Sequence, residues 1–501
     1  MKTIKIVSRK SNLARIQACI VSDRLKEKYP EINIQHIFKS TLGDNDLTTP
    51  LNKMPDIGVF TNDIKEDLIS GRADLAVHSW KDLPIETEAG TVISGTLKRA
   101  DMRDMLFLKK ESESNNGLKI LSSSPRREKN LTSFLPKALP GNPTDIKFCD
   151  VRGNIQTRIN KLIEGKEDGL IVAKAAIDRI LESHAPEFEE GKKELKISLE
   201  SLKWMVLPLS ANPCAAAQGA LALEVRSDDK ELQSIIKSIS DDASLDLIEE
   251  ERTILKSYGG GCHQKIGASV ESIEIGKIKT VKGESEEGKE IDERVFLAKE
   301  DLGDFFQGLS RSSFFPQNIK NQVFFKREQI NEANETLNAL RGKGIYISRS
   351  NALDPSVTIN DSNCVWASGV STWESLARQG VWVNGCSDSL GENNSPEENP
   401  FEEMKWLKLS HYDNKDEGKE ILPTYRLIPV ELSLDITKYT HFYWMSSTAF
   451  LRAISVYPEI LKARHATGLG KTHDLISSMA SNKVMAFLDY QDWISAVELN
   501  S

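Results

Sequence analysis

Cysteine is scarce in this chain, and long apolar runs are missing. The six cysteines among 501 residues stand at irregular spacing without a Cys-x-x-Cys pair, so the sequence predicts neither a disulfide framework nor a zinc site. No apolar run approaches the roughly 20 residues of a membrane-spanning helix. The N-terminal residues pass straight into a strand pattern, without the apolar core or cleavage site of a signal peptide. A reducing cytoplasm is therefore the expected location.

An excess of positive charge is also absent. The chain has 65 Lys and Arg against 74 Asp and Glu, which gives a net charge of −9. Nucleic-acid and anionic-membrane footprints usually leave a basic surplus, so neither partner is expected. The hydrophobic share of 39% and the charged share of 28% are those of an ordinary soluble protein. At this length we expect three or four domains.

Strand and helix patterns alternate through the first half of the chain. Such alternation predicts α/β sheets, which bind ligands at the carboxyl ends of their strands. The predicted strands are 4–8, 32–39, 73–79, 120–124, 148–151, 169–173 and the apolar run 207–226; the predicted helices are 11–28, capped by Ser11, and 241–258. Residues 266–299 alternate like antiparallel strands around a charged turn at 284–293.

The pattern changes near Asn334. A new strand is predicted at 344–348, and strand–turn–helix units follow, with a helix at 373–379 and a strand at 441–447. The stretch 387–404 is rich in Ser, Asn, Pro and Glu and indicates a loop or flexible link. A separate C-terminal α/β domain is therefore expected.

Cys262 stands in an informative place, after three glycines and the predicted helix 241–258. Glycine-rich backbone turns tightly and lets a large ligand approach, which suits a covalent anchoring point. The motif alone is equally compatible with a small buried thiol after a glycine-rich helix stop.

Five arginines recur at predicted strand ends and helix starts: Arg126, Arg127, Arg152, Arg158 and Arg179. A guanidinium binds carboxylates in a bidentate manner and stays charged, and the helix start after Ser122–Ser124 adds an anion-binding edge. Singly, each arginine is more typical of a solvated surface charge. Their recurrence at one type of position favours a ligand with several carboxylates.

Asp82 follows Lys81 at the end of the apolar run 73–79. A carboxylate there can accept hydrogen bonds from N–H groups and stabilise a developing cation. An isolated Asp before Pro84 is also typical of a turn cap. The residues by themselves leave both interpretations open.

Read together and in order, six motifs resemble the porphobilinogen deaminase (hydroxymethylbilane synthase) family from about residue 3 to about residue 325. The motifs are Arg9-Lys-Ser11-Asn-Leu13, His78-Ser79-Trp-Lys81-Asp82-Leu-Pro84, Ser122-Ser-Ser124-Pro-Arg126-Arg127, Val151-Arg152-Gly153-Asn154, Ala217-Gln218-Gly219-Ala220 and the Cys262 loop. Six separated motifs in the right order make the resemblance specific.

The resemblance implies a fold and a domain division. Two similar α/β lobes, like those of periplasmic binding proteins, are expected with a small α+β domain that carries Cys262. The implied division places lobe 1 at 1–98 and 202–226, lobe 2 at 99–201, the cofactor-anchoring domain at 227–333 and a further domain at 334–501.

The resemblance also implies an activity. Four porphobilinogen molecules condense head to tail with loss of ammonia, and water releases hydroxymethylbilane, a step of tetrapyrrole (haem) biosynthesis. A dipyrromethane cofactor is held through Cys262, Asp82 is catalytic, no metal is involved, and the enzyme is expected to be a monomer that binds porphobilinogen and the growing oligopyrrole. The implied cofactor- and substrate-binding residues are Arg9, Ser11, Gln17, Lys53, Ser79, Lys81, Ser122, Ser123, Ser124, Arg126, Arg127, Arg152, Gly153, Asn154, Arg158, Arg179 and Gln218.

This sequence departs from the family pattern at a few positions. A family loop normally carries a second lysine just before its glycine; here Ile57 stands at that position, although Lys53 remains. Pro125 and Ala176 replace a usual apolar residue and a usual glycine. None of these changes removes a principal catalytic group.

The C-terminal part weakly resembles uroporphyrinogen-III synthase, which acts on the product of the first enzyme. A second active site, a degenerate domain and a docking domain all remain open. For the first part, the alternative class is a non-catalytic two-lobe binding protein for small polycarboxylates. Such receptors lack the cysteine loop and the Lys81–Asp82 pair, which favours the enzyme.

Overall fold

The structure is a computed structural model. It describes residues 3–40, 62–86, 89–112, 116–259, 264–300, 303–318, 324–391, 403–414, 419–431 and 435–500. The chain divides into two compact units. The first comprises Met1–Lys137, Gly141–Ser272 and Ile278–Arg294, and the second comprises Ala138–Pro140, Ile273–Lys277 and Val295–Ser501.

Most of the first unit is built from ten strands and eight helices in the part of the chain that the structure describes. The strands are β1 (Thr3–Arg9), β2 (Asn33–Lys39), β3 (Leu75–Ser79), β4 (Thr91–Gly95), β5 (Asp104–Lys109), β6 (Gly117–Leu121), β7 (Asp145–Cys149), β8 (Gly169–Ala173), β9 (Leu202–Val206) and β10 (Leu221–Arg226). The helices are α1 (Asn12–Lys28), α2 (Asn62–Ile69), α3 (Pro125–Ala138), α4 (Ile155–Glu164), α5 (Lys174–Leu181), α6 (Glu189–Glu200), α7 (Lys230–Ile239) and α8 (Asp242–Ser257).

Two five-stranded sheets of the same topology form the predicted lobes. Their strand orders are β2-β1-β3-β10-β4 and β7-β6-β8-β5-β9. In each sheet three parallel strands are followed by one that runs antiparallel to both of its neighbours. The chain passes between the sheets twice, through residues 96–103 and 207–220. The α/β class expected from the sequence is confirmed.

Local sequence explains how the lobe elements begin. The Ser11 side chain accepts a hydrogen bond from the Ala14 amide at 3.4 Å and caps α1, as predicted. Asp241 caps α8 in the same way, through the Ser244 amide at 2.9 Å. Apolar residues of α1, β1, β3, β10 and α7 form the core of the first lobe. These caps fix where the helices start beside the ends of the strands.

The sheets differ from the predicted lobe boundaries at two places, and one predicted strand is shorter than expected. Residues 202–206 were expected in lobe 1, but β9 pairs with β5 in the second sheet. Helix α7 was expected in the third domain, but Leu232, Ile236 and Ile239 pack into the core of the first lobe. The run 207–226 is not one strand, because residues 207–220 form an irregular segment before β10.

A smaller three-stranded sheet follows α8. Its strands are β11 (Gly267–Ile273), β12 (Gly276–Glu284) and β13 (Glu290–Ala298), in the order β11-β12-β13. Ile266, Val281 and Ile291 form a buried cluster against Ile254 and Leu255 of α8. The alternating pattern predicted over 266–299 is confirmed, with the charged turn confined to 285–289.

The second unit contains two sheets that are largely parallel. Its strands are β14 (Phe314–Phe315), β15 (Phe325–Gln329), β16 (Gly344–Ile347), β17 (Cys364–Ala367), β18 (Gly385–Cys386), β19 (Trp406–His411), β20 (Glu420–Pro429), β21 (His441–Trp444), β22 (Arg464–Thr467) and β23 (Val484–Ala486). Its helices are α9 (Glu332–Ala339), α10 (Val370–Arg378), α11 (Ser447–Val456), α12 (Lys471–Met479) and α13 (Tyr490–Asn500). The strand orders are β15-β20-β19-β16-β17-β18 and β14-β21-β22-β23.

The second unit begins earlier in the sequence than residue 334. Phe314 and Phe315 of β14 pair with His441 and Phe442 of β21, and Phe324 packs in the same aromatic core. Helix α10 also begins earlier than predicted, at Val370, because the turn after β17 is short.

No helix among the described residues is long and apolar enough to cross a membrane.

Candidate active-site cleft

A cleft of about 1270 Å³ opens in the first unit. Strand ends and helix starts from both lobes line it, together with the crossing segment 215–220. The predicted residues that line it are Arg9, Ser11, Gln17, Ser79, Lys81, Asp82, Ser123, Ser124, Arg126, Arg127, Arg152, Gly153, Asn154, Arg158, Arg179 and Gln218. Lys53 and Cys262 lie outside the described residues, as does Ile57.

Ser122 is the predicted residue that does not line the cleft. It is buried, and its Oγ accepts a hydrogen bond from the Ser124 amide at 3.4 Å. Ser123 bridges to Val151, donating to its carbonyl at 2.9 Å and accepting from its amide at 2.8 Å. The serines therefore shape the turn before α3 and hold it against the strand end after β7.

Asp82 lies in a single 3₁₀ turn, Trp80–Asp82, directly after β3. Its side chain is exposed. Within the ranges given above, its carboxylate accepts no hydrogen bond, so the turn-cap interpretation has no contact to support it. Its negative charge acts on two neighbouring cations, Lys81 and Arg158. The carboxylate is thus available to a ligand in the cleft.

Lys81 precedes Asp82 in the same turn, and its hydrogen-bond partner is Gln218. Its ammonium donates to Gln218 Oε1 at 3.1 Å. The pKa of Lys81 is lowered to about 8, chiefly by burial; Asp82 and Asp104 oppose the shift, and Arg127 and Arg126 add to it. A ligand carboxylate beside Lys81 would stabilise its charged form.

Arg126 and Arg127 share one buried carboxylate, that of Asp104 at the start of β5. Arg126 Nη2 donates to Asp104 at 2.8 Å, and Arg127 donates through Nη2 at 2.7 Å and Nε at 3.0 Å. Asn212 and Gln218 each donate to the same carboxylate at 2.9 Å. These contacts hold the pKa of Asp104 far below its usual range, although burial alone would raise it.

The Asp104 network was not found by sequence reasoning. No motif marks this aspartate, which stands between Arg103 and an apolar strand. Its carboxylate cancels part of the positive charge that the sequence assigned to the ligand, but one net charge of the trio remains. Each arginine also donates through Nη1 to an internal carbonyl, Arg126 to that of Pro213 at 2.6 Å and Arg127 to that of Ile171 at 3.2 Å. Asp104 therefore fixes both arginines in place before any ligand arrives.

Arg158 and Arg179 are less tightly held. Arg158 Nε donates to the Gly153 carbonyl at 2.8 Å, and Arg179 Nη2 donates to the Gly219 carbonyl at 2.6 Å. Burial lowers the pKa of each to about 10, and Arg127 adds to the shift of Arg158. A buried cation without a carboxylate gains stability when an anion binds.

The turn before α4 brings backbone close to the cleft. Gly153 has φ of +113°, and a Cβ there would lie 2.7 Å from Thr157 Cγ2, so glycine is required. Asn154 then caps α4, accepting from the Thr157 amide at 2.9 Å. The helix start faces the cleft with Arg152 and Arg158 beside it.

A second buried ion pair connects the crossing segments to α8. Arg99 pairs with Glu251 at 2.7 Å and donates to the Gln218 carbonyl at 2.8 Å. Glu251 also accepts from the amides of Ala217 and Val270, both at 2.9 Å. The helix that precedes Cys262 in sequence is thereby fixed to the segment that carries Gln218.

Arg252 of α8 is a further lining residue that the motifs did not indicate. It donates to the carbonyls of Pro84 at 2.5 Å and Ile85 at 3.0 Å, and its guanidinium lies 5.9 Å from the Trp80 ring centroid. These contacts hold the loop that begins with Lys81 and Asp82. Gly259 and Gln264, which flank the segment with Cys262, also line the cleft.

The arrangement defines a class of protein: two α/β lobes around a cation-lined cleft whose side chains suit a ligand with several carboxylates. The donor set suits dipyrromethane, since cations match its carboxylates and Asp82 can accept hydrogen bonds from its N–H groups. The residues present therefore fit that cofactor.

Comparisons with known proteins agree with this class. Residues 4–234 match the family model described as porphobilinogen deaminase, dipyromethane cofactor binding domain. The porphobilinogen deaminase of Chlorobaculum parvum is 35% identical over 53% of this chain and 78% of its own length. That of Lachnospira eligens is 35% identical over 55% and 87%, and that of Alkaliphilus metalliredigens is 37% identical over 54% and 78%. One solved structure, the methionine-binding protein MetQ, gives a TM-score of 0.27 at 11% identity over 52% of this chain and 97% of that one.

The chain belongs to the porphobilinogen deaminase family. The family resemblance, the transferase class and the dipyrromethane cofactor expected from the sequence are thereby confirmed. The matches to these relatives cover little more than half of the chain.

Proposed function

We propose that the cleft of the first unit condenses porphobilinogen into hydroxymethylbilane, with Asp82 as the catalytic group. Four substrates each lose ammonia, and one water releases the linear product. The observation that carries the assignment is the exposed Asp82 carboxylate among cleft cations, free of hydrogen bonds within the described part of the chain.

Asp82 has two tasks in this proposal. Its carboxylate accepts hydrogen bonds from pyrrole N–H groups and so orients the reacting ring. Its negative charge stabilises the cation that develops as ammonia leaves. The charge of Asp82 interacts with the neighbouring cations Lys81 and Arg158.

The cleft cations bind the carboxylates of substrate and growing chain. Arg9, Arg152, Arg158 and Arg179 reach the cleft from both lobes. Arg126 and Arg127 are held by Asp104 and act as a fixed anchor rather than as mobile side chains. Because these two arginines need not move when a ligand binds, they define the position of the ligand carboxylate that they contact.

Cys262 is the proposed point of attachment for dipyrromethane. When bound, this group supplies the free α-carbon to which the first substrate is joined. In the sequence, Cys262 stands two residues before Gln264, which lines the cleft. A non-catalytic polycarboxylate receptor, the alternative for this fold, needs neither this thiol nor Asp82.

Replacing Asp82 tests the catalytic proposal. We expect Asp82→Ala to lower kcat for porphobilinogen consumption by about 10²–10⁴-fold, because a positioned acid–base or charge-stabilising group contributes that much. Glu86→Gln is the matched control, since Glu86 is also an exposed carboxylate on the same rim. An unchanged circular dichroism spectrum with normal turnover in Asp82→Ala would refute the role.

Intact-mass measurement tests the tether. The purified chain should carry the added mass of one dipyrromethane, and Cys262→Ala should lack it, whereas Cys149→Ala should keep it. A pyrrole-modified mass in Cys262→Ala contradicts the attachment. An unmodified, inactive wild-type chain would support the receptor alternative instead.

We propose as a second activity that the second unit closes hydroxymethylbilane to uroporphyrinogen III. Its favourable feature is a pair of largely parallel sheets joined through the antiparallel strands β15 and β20. Ser348, Ser368 and Ser446 stand at strand ends of both sheets, next to helix starts where a polyanion can bind. A degenerate or docking domain is the competing explanation.

Product analysis separates these explanations. The Asp82→Ala variant, supplied with synthetic hydroxymethylbilane, reports on the second unit without turnover by the first. We expect the type III isomer in excess over the non-enzymatic type I isomer. Formation of type I alone, at the rate seen without protein, eliminates the second activity.

A further inference from the structure

A basic cluster lies on one face of the six-stranded sheet in the second unit. Arg327 comes from β15, His411 from the end of β19, Tyr425 from β20 and Arg349 from the turn after β16. His411 pairs with Tyr425 in the sheet register, and Arg327 opposes Leu427, two residues from Tyr425. Alternation along the strands therefore places the side chains of Arg327, His411 and Tyr425 on the same face.

The cluster is held by aromatic and backbone contacts rather than by acids. The Arg327 guanidinium lies 4.9 Å from the ring centroid of Tyr425, and the His411 ring lies 6.2 Å from the same ring. Arg349 Nη2 donates to the Met445 carbonyl, at the end of β21, at 3.3 Å. Over the described ranges, neither Arg327 nor Arg349 forms an ion pair.

Two nitrogens of the cluster are buried without a partner among the described residues: Arg327 Nη1 and His411 Nδ1. A buried polar atom without a hydrogen-bond partner destabilises the folded protein. In native proteins such atoms commonly mark a place where ordered water, an ion or a ligand completes the hydrogen bonding.

The electrostatics agree with this interpretation. Burial and the charge of Arg327 lower the pKa of Arg349. Burial also lowers the pKa of His411, with Lys408 and Arg327 adding to the effect and Asp413 opposing it. Two guanidiniums that repel each other in a partly buried place are stabilised by an anion between them.

We propose that Arg327 and Arg349, with Tyr425 and His411 beside them, bind an oxyanion group of a small-molecule ligand, a carboxylate or a phosphate. A planar guanidinium stacked on an aromatic ring presents its remaining N–H groups in a fixed direction, which suits bidentate binding of either group. The inference concerns binding and holds whether or not the second unit closes the tetrapyrrole ring.

Hydrogen exchange of the full chain, read by mass spectrometry, tests the site directly. The probes are tricarballylate and inorganic phosphate, each compared with sodium chloride at equal ionic strength. With a probe at about ten times its Kd, local opening becomes about tenfold rarer. We expect peptides that contain Arg327, Arg349 or Tyr425 to exchange about tenfold more slowly. Peptide resolution keeps this signal separate from any binding in the first unit.

Variants distinguish binding of the oxyanion at Arg327 and Arg349 from a non-specific effect of ionic strength. Arg327→Gln and Arg349→Gln should each lose the protection, and Arg349→Lys should keep part of it. Arg341→Gln is the matched control and should keep all of the protection, since Arg341 is exposed and, among the residues that the structure describes, donates only to the carbonyls of Asn338 and Leu340. The probe that slows exchange of these peptides more strongly shows whether the site prefers a carboxylate or a phosphate.

Three outcomes overturn the proposal. The first is that chloride protects the same peptides as well as the two oxyanions do. The second is that protection persists in both Gln variants. The third is that neither oxyanion protects the peptides with Arg327, Arg349 or Tyr425, even at about 50 times the concentration that protects the cleft peptides of the first unit. A failed product assay with retained protection would reject the second activity and leave the binding site standing.

Discussion

Two pairs of arginines, one pair in each unit, have their charge compensated in different ways. In the first unit, Arg126 and Arg127 pair with the fully buried Asp104 at 2.8 and 2.7 Å. In the second, Arg327 and Arg349 have aromatic and carbonyl neighbours and, within the described residues, no carboxylate. An arginine with an internal acid is part of the fold, whereas one without it is available to an external anion.

The difference follows from the free energy of a buried charge. A charge taken from water is tolerated only with a counter-charge and satisfied hydrogen bonds, and removing one partner of such a pair is strongly destabilising. A cation without a partner already carries part of that penalty, so its removal changes stability little. Substituting a charged residue in each arginine cluster, and comparing the losses in the free energy of unfolding, therefore tests this difference.

The largest effect is expected for Asp104→Asn. Five hydrogen bonds from four side chains converge on this carboxylate, so its loss leaves two buried cations uncompensated. The free energy of unfolding should fall by about 3–5 kcal/mol, measured by urea denaturation, and porphobilinogen turnover should be lost.

The control for that change is Asp145→Asn in the same lobe. Asp145 pairs with Lys147 at 3.2 Å, but both side chains are more than half exposed. Such a pair contributes at most about 1 kcal/mol. Equal stabilities of the two variants would mean that Asp104 is not the centre of the network.

An intermediate effect concerns the ionisation of Lys81. In the cofactor-free protein its pKa of about 8 means that it is charged below pH 8 and neutral above. The rate of acetylation of Lys81, followed by peptide mass spectrometry, should therefore rise through a midpoint near pH 8. Asp82→Asn should lower that midpoint, since Asp82 favours the charged form.

If the acetylation midpoint of Lys81 in the wild-type protein lies near the pKa of an ordinary lysine, burial does not lower the pKa of Lys81 as proposed. Once the cofactor is attached, its carboxylates should raise the midpoint, because they stabilise the ammonium. The same labelling experiment on modified and unmodified protein gives both values.

The smallest effect is expected for Arg349→Gln. Its free energy of unfolding should change by less than about 1 kcal/mol, because no internal ion pair is broken. Arg127→Gln should be several times more destabilising, since it leaves part of Asp104 unpaired. Similar losses in both variants would remove the distinction between fixed and available arginines.

Much of the cleft could be predicted from the sequence, for an identifiable reason. Strand ends and helix starts carry local signals, such as the Ser11 cap, the Gly153 turn and the polar residues that follow the apolar run 73–79. Each signal lies within a few residues of the side chain that it places. The family resemblance then supplied roles for Asp82 and Cys262, which remain predictions until the experiments above are done.

The elements that were placed wrongly depend on distant partners. Whether residues 202–206 join the first or the second sheet is decided by β5, about 100 residues earlier. That β14 belongs with the second unit is decided by β21, later in the chain. No local pattern contains that information.

The amino-acid sequence by itself determined the α/β class and the family, and it indicated many of the residues that line the cleft, because periodicity, caps and motifs are local properties. Only the tertiary structure decided which charges neutralise one another. Asp104 meets Arg126 and Arg127 across about 20 residues and Gln218 across more than 100, and Arg327 meets Tyr425 across a similar distance. Charge pairing falls steeply with separation, so it depends on the folded geometry of each side chain.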